Sequence, residues 1–213
     1  MNAARRQSPV IFASRPARTV IRDHWKVVLA FDNEGPGPWL VDLSHKPRWD
    51  LQDGRIDGLK PAGRRIPLAP GACRLEDAIL VSRLNRTQAA VWHLGNTAAV
   101  LPAERGYTDV SEATVFLALF GPHVFAITEK LSALDFMDPD RPPPSLLQGP
   151  LARVPCQLVT LAREDDSSGG LLIAAPRGYA ADMQHAIASA GAEHGLTPAG
   201  EDRFMAWMAR LEG

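Results

Sequence analysis

The chain has 213 residues, with 23 Lys and Arg against 24 Asp and Glu, and a formal net charge of −1. At 46% hydrophobic and 22% charged residues, it has the balance of a globular chain that buries a core rather than of a disordered one. The near-zero charge removes the electrostatic case for nucleic-acid binding, and two cysteines make no disulfide framework.

Residues 1–19 carry Arg5, Arg6, Arg15 and Arg18, and no acid precedes Asp23. Their only apolar run is Val10–Ala13, so a flexible basic tail is expected, with the fold beginning at Val20. That run is too short for a signal-peptide core, and the longest apolar stretch, Ala113–Phe120, is too short to cross a bilayer. A cytoplasmic protein without membrane contact is the expectation.

Lys26–Phe31 and Trp39–Leu43 predict strands from their apolar and β-branched content, with the helix-breaking Glu34–Pro38 between them. Lys60–Gly71, with three prolines, predicts a loop. Ala78–Leu84 and Ala89–Leu94 predict a hairpin around Asn85–Gln88, and Leu75–Val81 reads as one strand opened by the acids Glu76 and Asp77. Thr114–Phe120 predicts a strand. Gly121-Pro122 then leads into a helix carrying Val124, Ile127, Leu131 and Leu134, with the proline in its first turn. Asp138–Pro144 reads as a stiff crossover. Gln157–Arg163 and Leu171–Ala175 predict a second hairpin around the acidic loop Glu164–Gly170. Tyr179, Met183, Ile187 and Ala190 form a helical stripe ended by Gly191, and Phe204, Met208 and Leu211 mark a last helix. The expected class is α+β: two intimately joined lobes of mixed sheet with packed helices, divided near residues 20–110 and 111–213.

The signatures of dinucleotide, nucleoside-triphosphate, zinc-protease and serine-hydrolase sites are absent, and the six histidines show no pair at metal-ligand spacing. Cys73 and Cys156 lack the spacing of a zinc site and are expected as separate reduced thiols. Asp42 and His45, three residues apart at a strand end, could orient each other for proton transfer. Alternatively, Asp42 and Ser44 bond neighbouring backbone as the strand turns. Of Glu76 and Asp77, strand alternation lets only one face a pocket. Trp39, Trp49 and Trp92 are divided between core positions and a face that anchors a partner chain.

Several stretches together resemble the folate-binding aminomethyltransferase family that includes the glycine-cleavage T-protein. Trp39–His45 resembles its V-D-[LV]-S-H segment, Leu75–Leu84 its L-D-D-L-I-V-T-R-L strand with one extra residue, Thr114–His123 its A-L-[IL]-A-[LV]-Q-G-P strand and turn, and Ala209–Gly213 its L-R-L-E-A-G tail. The likeness is nearest to the short gamma-subunit type of heterotetrameric sarcosine oxidase, which shares the features of Ala175–Ala180. The resemblance implies a T-protein-like folate-binding-type module over residues 20–213, with Asp77 as the candidate catalytic acid. Glu76, Asn96 and Arg210 are the further folate-pocket candidates.

The chain departs from the family pattern in two places. Ser168-Gly169-Gly170-Leu171-Leu172 stands where the family has the acid that grips the pterin, and the chain ends where the family's C-terminal barrel would begin. The reading is therefore a non-catalytic subunit or accessory protein of a redox or one-carbon complex, requiring no cofactor. Its expected partner is an oxidoreductase subunit or a lipoyl-carrier protein. The alternatives are a tetrahydrofolate-dependent aminomethyl or methyl transferase and an interaction module with a vestigial pocket.

Overall fold

The structure, a computed structural model, describes residues 6–97, 99–103 and 105–211. Strands β1 (Pro16–Arg22) and β2 (Trp25–Phe31) form an antiparallel ribbon. They are followed by β3 (Trp39–Asp42), β4 (Arg48–Gln52), β5 (Cys73–Glu76), β6 (Ile79–Arg83), β7 (Gln88–His93), β8 (Tyr107–Asp109) and β9 (Thr114–Gly121). Helix α1 (Val124–Glu129) precedes β10 (Ser145–Leu151), β11 (Val154–Arg163) and β12 (Gly169–Pro176). Helix α2 (Ala180–Gly191), β13 (Thr197–Ala199) and α3 (Glu201–Leu211) complete the chain.

A six-stranded sheet has the order β10-β11-β12-β9-β3-β13, with only β13 parallel to its neighbour, and a five-stranded antiparallel sheet has the order β5-β6-β7-β4-β8. The architecture is α+β.

Strand β9 shows why its sequence is an unbroken apolar run. Side chains alternate across a strand, and here both faces are covered. Val115, Leu117 and Leu119 pack with Val124 and Ile127 of α1 and Met183 and Ile187 of α2. Phe116, Ala118 and Phe120 pack on the other side with Leu80 and Trp92 of the five-stranded sheet and Phe204 and Trp207 of α3. A third cluster, around Trp49, Leu51, Ile56 and Val91, covers the far face of the five-stranded sheet.

Several expectations need correcting. Leu75–Val81 is not one strand: Asp77 and Ala78, at φ 49 and 57, form the two-residue turn of the β5–β6 hairpin. Pro122 lies in the turn before α1, where Gly121 and His123 both have positive φ, and not in the helix. The helix also stops at Glu129, because Leu131 and Ser132 donate to Thr128 O and Ser132 Oγ turns to Pro150 O. The fold begins before Val20, since β1 starts at Pro16, Val10 is buried, and Ile11 exchanges two hydrogen bonds with the Gln184 side chain. No division near residue 110 separates two lobes, because β3 pairs with β9 inside the later sheet. Trp49 and Trp92, at 3% and 2% exposure, are core residues and no part of a docking face. Trp39 is half-buried against Phe120, beneath the Arg203 guanidinium.

Candidate functional site

The turn after β3 is organised by short-range bonds. Asp42 Oδ1 accepts the Ser44 N–H at 2.9 Å, and Ser44 Oγ accepts the Phe116 N–H at 3.2 Å. Of the two readings of this segment, backbone bonding accounts for Asp42 and Ser44. His45 points away from that turn, and Lys46 follows it inward.

Both side chains meet Glu201, the first residue of α3, whose side chain is wholly buried. Glu201 Oε1 lies 2.9 Å from His45 Nε2 and 2.5 Å from Lys46 Nζ, and Arg22 Nη1 donates to both carboxylate oxygens at 2.7 and 2.8 Å. Asn96 Oδ1 accepts from Lys46 and Arg22, and Gly95 O takes a further Lys46 proton. Lys46, at 1% exposure, thus spends its three donors on three acceptors.

Burial alone would raise the Glu201 pKa, but hydrogen bonds from His45 and Arg22 and the Lys46 charge together hold it well below the carboxylate range. Burial lowers the pKa of both His45 and Lys46, and Glu201 opposes the shift in each. At neutral pH the His45 ring is therefore neutral, beside an ionised Glu201.

The helix start that delivers Glu201 is fixed locally. Glu34 accepts the Gly200 and Phe31 N–H groups through Oε1 and meets Arg203 through Oε2. A Cβ on Gly200 would lie 2.2 Å from Leu29 O, so only glycine lets α3 approach the ribbon this closely.

His45 and Asp42 also face a cavity of about 400 Å³. Its walls include Trp25, Val27 and Phe31 of β2, and the segment around Val10 and Phe12 closes it. Phe12 packs edge-on to Phe31 at 5.8 Å. The arrangement is a largely apolar chamber whose polar wall holds the imidazoles of His24 and His45, the Asp42 carboxylate and the Arg6 and Lys26 side chains, suited to binding a small molecule beside the His45 ring.

The site residues suggested by sequence do not converge here. Only Asn96 belongs to the Glu201 cluster. Asp77, largely exposed in its turn, pairs with Arg64, and Glu76 pairs with Arg74 at 2.7 Å. Arg210 is exposed near the end of α3. Asp77 does line a separate open cleft of about 750 Å³ with Pro143, Pro144, Arg163 and Leu211. Glu201, Lys46 and Arg22 escaped the sequence reading because no local pattern links positions so far apart. The Ser168–Leu172 region, which holds no acid, begins β12 after the β11–β12 loop, and Glu164 of that loop accepts from Trp207 Nε1 at 2.9 Å.

Cys73 and Cys156 are free thiols, with Cys73 Sγ 3.1 Å from Ser82 Oγ. No group of three or more His, Cys, Asp and Glu among the described residues is arranged to hold a metal ion. No helix among them is long and apolar enough to cross a membrane.

No family model matches the chain, and no curated protein matches it. Among solved structures, a chain of the heterotetrameric sarcosine oxidase from Corynebacterium sp. U-96, crystallised with pyrrole 2-carboxylate, has a similar fold. The TM-score is 0.61 and the identity 18%, over 75% of this chain and 88% of that one.

Proposed function

We propose that the chain is a non-catalytic subunit of a multi-chain oxidoreductase. The observation that carries this reading is the fold likeness, which spans 88% of a chain taken from a heterotetrameric enzyme. The Glu201 cluster supports it: three nitrogen-bearing side chains saturate the one fully buried acid among the described residues, which makes a structural clasp in preference to a nucleophile or base. The partner in this reading is an oxidoreductase chain, with a lipoyl-carrier protein as the other protein class the sequence suggests. The test is co-expression of the tagged chain with candidate oxidoreductase chains of the same organism, followed by size-exclusion chromatography and mass analysis. A stoichiometric complex is expected. A chain that elutes alone beside all of them overturns the reading, and recovery with a lipoyl carrier alone reassigns the partner.

A second reading, tetrahydrofolate-dependent aminomethyl or methyl transfer, has one observation in its favour. Asp77 stands on the wall of a cleft large enough for a bicyclic ring. Calorimetry with tetrahydrofolate decides it. Micromolar binding abolished by Asp77→Asn would establish that reading, whereas no heat in either protein would leave this cleft without the folate role.

A further inference from the structure

A third opening lies between the two sheets and shares no lining residue with the cavity at His45 or the cleft at Asp77. It encloses about 480 Å³, and Arg48, Asp50, Trp92, Gln148, Cys156 and Gln157 are among its walls. Alternation along β4 sets its charge. Trp49 and Leu51 enter the core on the far face of the five-stranded sheet, so Arg48 and Asp50 share the face that looks toward β10 and β11.

The two charged groups are in opposite situations. The Arg48 guanidinium is fully buried and committed. Nη1 donates to Lys46 O at 2.7 Å and to Ser44 O at 3.4 Å, Nη2 to Ser111 O and to Thr114 O at 3.0 Å, and Nε to Thr114 Oγ1 at 3.1 Å, with the Phe116 ring face 4.8 Å away. It has no donor left for the cleft. Asp50 is half-buried, and among the described residues no hydrogen bond or ion pair reaches its carboxylate. A carboxylate presents about four acceptor positions, and leaving them dry is costly. Burial accordingly disfavours its charged form. Gln148 and Gln157 are direct cross-strand partners on β10 and β11, which places their carboxamides side by side. The Gln148 amide donates to Leu84 O at 3.0 Å, leaving its carbonyl oxygen as a further acceptor.

With the Arg48 charge spent on Thr114 Oγ1 and the carbonyls behind it, the cleft offers an unpaired carboxylate beside two carboxamide carbonyls, with an indole and a thiol as apolar wall. We propose that this cleft binds a small organic cation rich in N–H groups, a primary ammonium or guanidinium on a short apolar stem. Asp50 is the counter-ion, and Gln148 and Gln157 are the neutral acceptors. The inference is independent of the subunit reading, because it concerns what the chain itself binds.

The test uses the full chain and four probes: butylammonium, butylguanidinium, tetramethylammonium (a cation without N–H) and butyrate. Binding is followed by titrating the side-chain amide NMR signals of Gln148 and Gln157. The two N–H cations should bind saturably and at least tenfold more tightly than tetramethylammonium, with butyrate inert, and Asp50→Asn should weaken them at least tenfold. Gln157→Leu, which keeps the charge, should weaken them by a smaller factor. Asp50→Asn should also melt no lower than the parent, since it removes a half-buried charge that nothing in the fold uses. Equal binding of tetramethylammonium or butyrate, unchanged affinity in Asp50→Asn, or unfolding of that variant would each overturn the proposal.

Discussion

Glu201 sits at a helix N-terminus, where a carboxylate complements exposed N–H groups, and burial there adds three nitrogen-bearing partners to that favourable field. Removing its charge strands Lys46 and part of Arg22 without a counter-ion, and breaking a buried pair from one side costs about 3–5 kcal/mol. Glu201→Gln should therefore lower the unfolding free energy by about that much in urea titration. The same residue sets the acid limit of the fold. Its folded pKa lies below the unfolded value of about 4.3, so its contribution is full above that value and is lost as pH falls toward the folded pKa. His45 acts in the same direction. With a folded pKa below 6.5, it lets the unfolded chain take up a proton first, and stability declines as pH drops below 6.5. A pH series of urea midpoints should fall below pH 6.5 and again below about pH 4.5. His45→Gln should shrink the first step to the part that His93, also lowered by burial, contributes, and should soften the second by removing a hydrogen bond to Glu201. At the two thiols, burial pushes Cys73 up to about 12 and Cys156 up to about 11. Iodoacetamide at pH 8 should therefore leave both unmodified in the folded protein and alkylate both in urea, as mass analysis would report.

Elements that bury both faces of a strand were legible in the sequence, as were the β6–β7 and β11–β12 connections, but three of the tightest turns were not. β6, β7, β9 and β12 are dense apolar runs whose burial leaves little choice of structure. Strands β1, β5 and β10 read poorly because each stands at the edge of its sheet, where one side meets solvent and Pro or Gly is tolerated: Pro16 opens β1, and Gly149-Pro150 sits within β10. Three hairpins turn on two residues that both have positive φ, Asp23-His24, Asp77-Ala78 and Ala152-Arg153, and none contains the glycine that usually announces such a turn. The left-handed conformation costs a side-chain-bearing residue roughly 1–2 kcal/mol. Arg153 is exposed at φ 67, with no hydrogen bond or ion pair among the described residues to offset that cost. Arg153→Gly should therefore raise stability by about 1 kcal/mol, visible as a higher urea midpoint with an unchanged slope. A lower midpoint would mean that the β10–β11 turn is not strained.

Across the whole molecule, chain order and spatial order diverge, which is why the site was the least legible part. The Glu201 clasp gathers Arg22 from the ribbon, His45 and Lys46 from the turn after β3, and Asn96 from beyond β7 onto the start of α3, four stretches whose separate patterns say nothing of their meeting. The resemblance pointed to a sheet-rich module like one sarcosine oxidase chain, while the acid it singled out, Asp77, lies in an exposed turn. The same interleaving bears on how the protein unfolds. β3 leaves the five-stranded sheet's neighbourhood in sequence to pair with β9, and Trp92 reaches from β7 into the layer between the sheets to meet the Phe116 ring at 4.9 Å. Two sheets that share one core layer should melt together, so calorimetry should give a single transition whose calorimetric and van't Hoff enthalpies agree. Trp92→Ala opens a cavity in that shared layer and should cost about 3–5 kcal/mol while the transition stays single. If Trp92→Ala instead split the melt into two steps, the sheets would be separable units, and the layer between them would be a contact between lobes and not a common core.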